Sequence, residues 1–113
     1  MTIEEYIILY LSGRLSVPVS GDVPSPVPAS FVTVEKTGAR SVNRVESATV
    51  VLDVCAASRD AAARLCAEVE AIMAGIIAEP EISRCSLDTS YNSPDLERNL
   101  PRYRASFSIT HYL

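Results

Sequence analysis

SATVVLDVCAASRDAAARLCAEVEAIM, residues 47–73, changes its period halfway along. In the first part Ala48, Val50, Leu52, Val54 and Ala56 share one face, and Thr49, Val51, Asp53 and Cys55 share the other. Alternation with a period of two marks a strand, here spanning Ser47 to Ala57. Its apolar face meets a core; its other face is at least partly wet or covered by a neighbouring subunit. From Ser58 the period turns helical. Ala62, Leu65, Val69, Ile72, Met73 and Ile76 form one stripe, and Ser58 is a natural N-cap. Asp60 and Arg64 stand four apart in the favourable order, and Gly75 and Pro80 bracket the helix end.

MTIEEYIILYLSGRL at the N-terminus reads as a second helix. Thr2 with Glu5 fits a capping box, and Ile3, Ile7, Tyr10 and Leu11 make its stripe, with Gly13 as the stop. Tyr6, Ile8 and Leu9 make the other side apolar too, so this helix needs cover on more than one side. Residues 18–29 form a Pro-rich connector that holds Pro18, Pro24, Pro26 and Pro28. Such a run suits an extended, stiff crossing, with at most an edge strand at Val17–Val19. SFVTVEK, residues 30–36, is a strand, and residues 37–46 make a hairpin arm with Gly38 at a turn position. EISRCSLDTSY is a further strand, with Cys85, Leu87, Thr89 and Tyr91 on one side. The last strand, Arg102 to Tyr112, alternates Tyr103, Ala105, Phe107, Ile109 and His111 against Arg104, Ser106, Ser108 and Thr110.

This order predicts a single α+β domain over residues 1–113: an antiparallel or mixed sheet of four to five strands with two helices packed on one face. The longest strongly apolar run, Tyr6–Leu11, is far short of the roughly 18 residues a membrane helix needs. Glu4 and Glu5 stand where a secretory signal would be positive, so a cytoplasm is the expected compartment. The net charge of −4 disfavours tight nonspecific binding to nucleic acid.

Catalytic groups are sparse. The chain has one histidine and no GxSxG, P-loop or HExxH pattern. Cys55, Cys66 and Cys85 read as small buried residues, without CxxC spacing or enough partners for a metal site. Asp53 and Asp88 would converge only if their strands were neighbours. No catalytic, cofactor-binding or metal-binding residue is therefore assigned.

The informative stretch is SYNSPDLERNLPRYRASFSITHY, residues 90–112. Between Tyr91 and the last strand it sets Asp95 and Glu97 beside Arg98, Arg102 and Arg104, with Leu96 and Leu100 among them and prolines at 94 and 101. Stiffness lowers the ordering cost of binding, and arginine is favoured at interfaces, so this loop suits contact with another protein chain. The competing reading is a local salt-bridge cluster that only holds the loop.

Several features in sequence resemble the tail terminator (tail completion, neck) proteins of long-tailed phages and prophages. They are a P-x-x-F-V-x-V strand from Pro28, a hairpin, an apolar strand entering a helix through AASRDAA at residues 56–62, and a Y-N-x-P-D … P-R-Y loop from Tyr91 to Tyr103. The resemblance spans about residues 28–112. It implies a virion structural protein that forms a ring, commonly a hexamer, which caps the tail tube and presents a surface to the head connector. Its implied partners are copies of itself, the tail tube protein and the head-tail connector protein. DNA passes through the hole without specific binding, and no enzyme activity, cofactor or membrane is expected. Assembly takes place in the host cytoplasm, and the product resides in the tail neck.

A ring made by head-to-tail contacts needs two unlike sticky patches. The arm with Arg40 and Arg44 is one candidate, and the loop with Asp95, Leu96, Glu97, Arg98, Arg102 and Arg104 is the other. Six copies at −4 carry roughly −24, which disfavours a tight grip on passing phosphates. The alternatives are a connector or stopper protein of the same neck, a small ligand-binding regulatory domain that dimerises around a pocket, and, last, a small enzyme.

Overall fold

A computed structural model describes residues 1–113. Helix α1 (Ile3–Ser12) leads to β1 (Val19–Ser20), β2 (Phe31–Val42) and β3 (Val45–Cys55). Helix α2 (Arg59–Ala74) follows, extended by a 3-10 turn at Gly75–Ala78, and then β4 (Ile82–Asn92) and β5 (Arg102–His111). The five strands form one sheet in the order β1-β2-β3-β5-β4. β1 runs parallel to β2, and every other pair is antiparallel, so the sheet is mixed and the class is α+β.

The helices start where their caps place them. Thr2 Oγ1 accepts the Glu5 N–H at 3.2 Å and Glu5 Oε1 accepts the Thr2 N–H at 2.8 Å, which completes the capping box. Ser58 Oγ accepts the Ala61 N–H at 3.1 Å. Both helices lie over one face of the sheet. There Ile3, Ile7 and Leu11 of α1, Val69 and Met73 of α2, and Val34, Leu52 and Phe107 of the sheet join a single cluster of 19 buried residues. The fully buried line of α2 is Ala62, Cys66, Val69 and Met73. Leu65 and Ile72, expected on the stripe, flank it half-buried. Ala62, Val69 and Met73 stay on the buried line, and a rotation of well under one residue brings the small Cys66 over the sheet and leaves the longer Leu65 and Ile72 along the rim.

Three strand details depart from expectation. The edge strand lies at Val19–Ser20 rather than Val17–Val19, because Pro18 has no N–H to donate while its carbonyl accepts Val32 N–H at 2.9 Å. The hairpin does not turn at Gly38. That residue lies within β2 at a bulge, and the ladder continues to the Val42–Val45 pair. The turn residues are Asn43 and Arg44, with φ of 51° and 68°, the pattern of a type I′ hairpin. Finally, a bulge between Leu87 and Thr89 reverses the side-chain alternation of β4. Ser90 now faces α2, where its hydroxyl donates to Glu70 at 3.2 Å, and Tyr91 pairs with Arg104 on the opposite face.

Arg44 occupies a left-handed position that an L side chain enters at a cost of roughly 1–2 kcal/mol. Replacing it with glycine removes that strain but gives the unfolded chain more freedom, an opposing effect of roughly 0.5–1 kcal/mol. Arg44→Gly is expected to stabilise the domain by about 0.5 kcal/mol net, read as a higher urea midpoint with an unchanged slope.

The register sets the long axis. β3 meets β5 from Glu46–His111 to Cys55–Arg102, so Ser41–Val45 project past the end of β5. The loop between β4 and β5 lies at the opposite end, and the molecule extends 43 Å along its longest axis.

Candidate functional site

The loop at residues 93–101 is stitched at both ends. Asp95 and Leu100 exchange two backbone hydrogen bonds, each 3.0 Å. Below them Ser93 N–H donates to Arg102 O at 2.9 Å, and Arg102 Nε donates to Ser93 O at 2.7 Å. Within the tip, Asp95 Oδ1 accepts the N–H groups of Glu97 and Arg98 at 3.1 and 3.2 Å, a side-chain-to-backbone turn that aspartate makes readily. Asn99 supplies the left-handed residue, with φ of 54°, that closes the loop.

An ionic network fastens this loop to the sheet. Arg104 stands opposite Asp53 in the β3–β5 ladder and grips it with two bonds, Nε to Oδ1 at 2.8 Å and Nη2 to Oδ2 at 3.2 Å. Arg102 lies between Asp53, at 4.0 Å, and Asp95, at 3.9 Å. Arg98 closes on Asp95 at 3.2 Å. The backbone N–H of Arg98, aided by the Arg98 and Arg102 guanidiniums, holds the Asp95 carboxyl below its ordinary value. Asp95, Arg98, Arg102 and Arg104, named from sequence, therefore meet in one network. Asp53 is its missing hub, and β5 lies between β3 and β4, which keeps Asp53 and Asp88 apart. Asp88 instead accepts the Ser108 hydroxyl at 2.6 Å.

With these charges satisfied locally, the loop presents what is left. Leu96 is 86% exposed, and Glu97 is exposed with no ion-pair partner in its own chain. Arg40 and Arg44 lie at the far end of the molecule. Arg40 is exposed opposite Ser47 in the ladder, and Arg44 is exposed in the turn. The two sequence-derived patches thus occupy opposite ends and share no contact.

The remaining chemistry-bearing groups are bound up in structure. His111 is buried, donates from Nε2 to Glu46 Oε1 at 2.9 Å and accepts the Leu113 N–H on Nδ1 at 3.2 Å. Burial pushes the thiols of Cys55, Cys66 and Cys85 up to about 11, so each is overwhelmingly a neutral thiol near pH 7. Cys55 and Phe31 are buried on the sheet face away from the helices, beside an open polar cleft of about 380 Å³. Asp22, Glu35, Asp53, Asp95, Arg98 and Arg102 are among its lining residues. No group of three or more His, Cys, Asp or Glu side chains is arranged to hold a metal ion. No helix is long and apolar enough to cross a membrane.

No protein-family model and no curated protein matches the chain.

Proposed function

We propose that this chain is a structural subunit of a phage or prophage tail, of the terminator kind. It forms a ring, commonly of six copies, that caps the tail tube and joins it to the head connector. The observation that carries this reading is the pair of unlike projections at opposite ends of one subunit: the β2–β3 arm and the locked 93–101 loop. Head-to-tail assembly requires such a pair, because its two contact surfaces differ. A loop held rigid before contact gives up little conformational freedom on binding. The order of motifs over residues 28–112 points the same way. In this role the subunit performs no catalysis, needs no cofactor and lets DNA pass without specific binding. It works with the tail tube protein and the head connector protein in the host cytoplasm, then stays in the virion neck.

Sedimentation velocity across a concentration series, with negative-stain imaging of the heaviest fraction, tests the reading. The expected result is a closed species near six times 12.2 kDa with a visible central hole. Monomer alone, up to the solubility limit, overturns it. The polar cleft of about 380 Å³ favours a second reading, a small ligand-binding module. That module would be a dimer in the same experiment, and a charged metabolite would raise its melting temperature.

A further inference from the structure

We infer that Leu96 of one copy seats in a cleft beside α1 of the next copy. This inference rests on the ring reading above and names its contact. The cleft holds about 270 Å³ and is lined by Met1, Tyr6, Leu9, Tyr10, Arg14 and Glu79. It is the side of α1 that the sequence leaves apolar and the fold leaves bare: Met1 is 70% exposed and Leu9 62%. Its walls are fixed. Tyr6 Oη donates to Glu81 at 2.9 Å, Tyr10 Oη donates to the Ile72 carbonyl at 3.1 Å, and the Arg14 guanidinium stacks 3.8 Å from the centre of the Tyr10 ring. A preformed apolar floor with a charged rim suits one apolar anchor.

The occupant is a second copy because the chain cannot reach its own cleft. Tyr6 is tied to Glu81, just before β4 begins, and Leu96 follows the end of β4. Eleven residues of strand separate the two by about 33 Å. The rim offers one match in charge. Glu97, without an ion-pair partner of its own, flanks Leu96 and complements Arg14, whose side chain is 46% exposed and holds Glu79 only at 3.8 Å. Because anchor and cleft are different surfaces, each copy offers one of each, so the contact is head-to-tail and propagates from copy to copy, as a ring requires.

Disulfide trapping tests this directly. Leu9→Cys and Leu96→Cys replace exposed side chains, so both variants keep the fold. The two single variants, mixed and oxidised with copper phenanthroline, are expected to give a 9–96 linked dimer by peptide mapping, absent from wild type. The double variant is expected to give a ladder of linked oligomers that ends at the ring size. Assemblies in sedimentation without a 9–96 link overturn this seat and leave the ring reading standing. Neither assemblies nor link overturns both.

Discussion

Asp53→Ala is expected to lower the stability of the domain by about 2–3 kcal/mol. The reason is the pair of guanidiniums it strands. Arg104 loses both of its short bonds, and Arg102 loses one of the two carboxylates it lies between. The Arg104 side chain is 34% exposed and those of Arg102 and Asp53 are 19% and 17%, so water reaches them only in part. A fully exposed pair contributes about 0.2–1 kcal/mol, whereas breaking a buried one costs about 3–5. This geometry lies between, nearer the buried limit because the contact is bidentate. Urea unfolding should show a lower midpoint with an unchanged slope, and the melting temperature should fall by on the order of 10 °C. The paired change Asp53→Leu with Arg104→Leu is expected to recover a substantial part of the loss, since it leaves one fewer charge without its partner. A loss below about 0.5 kcal/mol for Asp53→Ala would place the network among ordinary surface ion pairs and remove the anchor of the 93–101 loop.

The hub of that network was the part least legible from sequence. The arginines announced themselves by their spacing in PRYR, but their partner is 51 residues away, and only the β3–β5 register sets Asp53 against Arg104. Period-two patterning identified the strands and their core faces because burial on one side leaves a local trace. Strand order leaves none, so the separation of Asp53 from Asp88 by β5 could not be read. Capping boxes and N-caps were legible because their donors and acceptors are three residues apart. The β4 bulge was hidden for the opposite reason: one extra residue between Leu87 and Thr89 reverses every later side chain without any change of residue type to mark it. The hairpin turn shows how one plausible signal masks another. Gly38 drew the turn by its flexibility, while Asn43 can take the left-handed conformation and Arg44 is carried into it by the ladder on either side.

Asp95→Ala should cost about 1–2 kcal/mol, and its effect should concentrate in the loop. The substitution removes two backbone N–H acceptors at the tip and the carboxylate shared by Arg98 and Arg102. Asp95→Asn separates these two roles. An amide oxygen can still accept the Glu97 and Arg98 N–H groups, so Asn should keep the turn, lose only the ionic share and cost about half as much. Amide hydrogen exchange at Glu97, Arg98 and Leu100 is the discriminating measurement, with protection expected in wild type, nearly retained in Asn and lost in Ala. Acid should act as the charge-removing change does. The folded-state value of Asp95 lies below its unfolded value, near 3.9. The stability it contributes is therefore fully present above about pH 4 and disappears as pH falls through the lowered folded-state value. The carboxyl's hydrogen bonds all go to its own loop, to Glu97 and Arg98, so protonation should open the loop before the core gives way. Protection at those three amides, taken relative to the intrinsic exchange rate at each pH, should thus fall below about pH 4 while the far-ultraviolet signal of the sheet and helices holds, and in the Asn variant this loss of protection should vanish. If the Asn variant kept the same acid transition, the proton would be landing on another group, and the local locking of Leu96 through Asp95 would have to be given up.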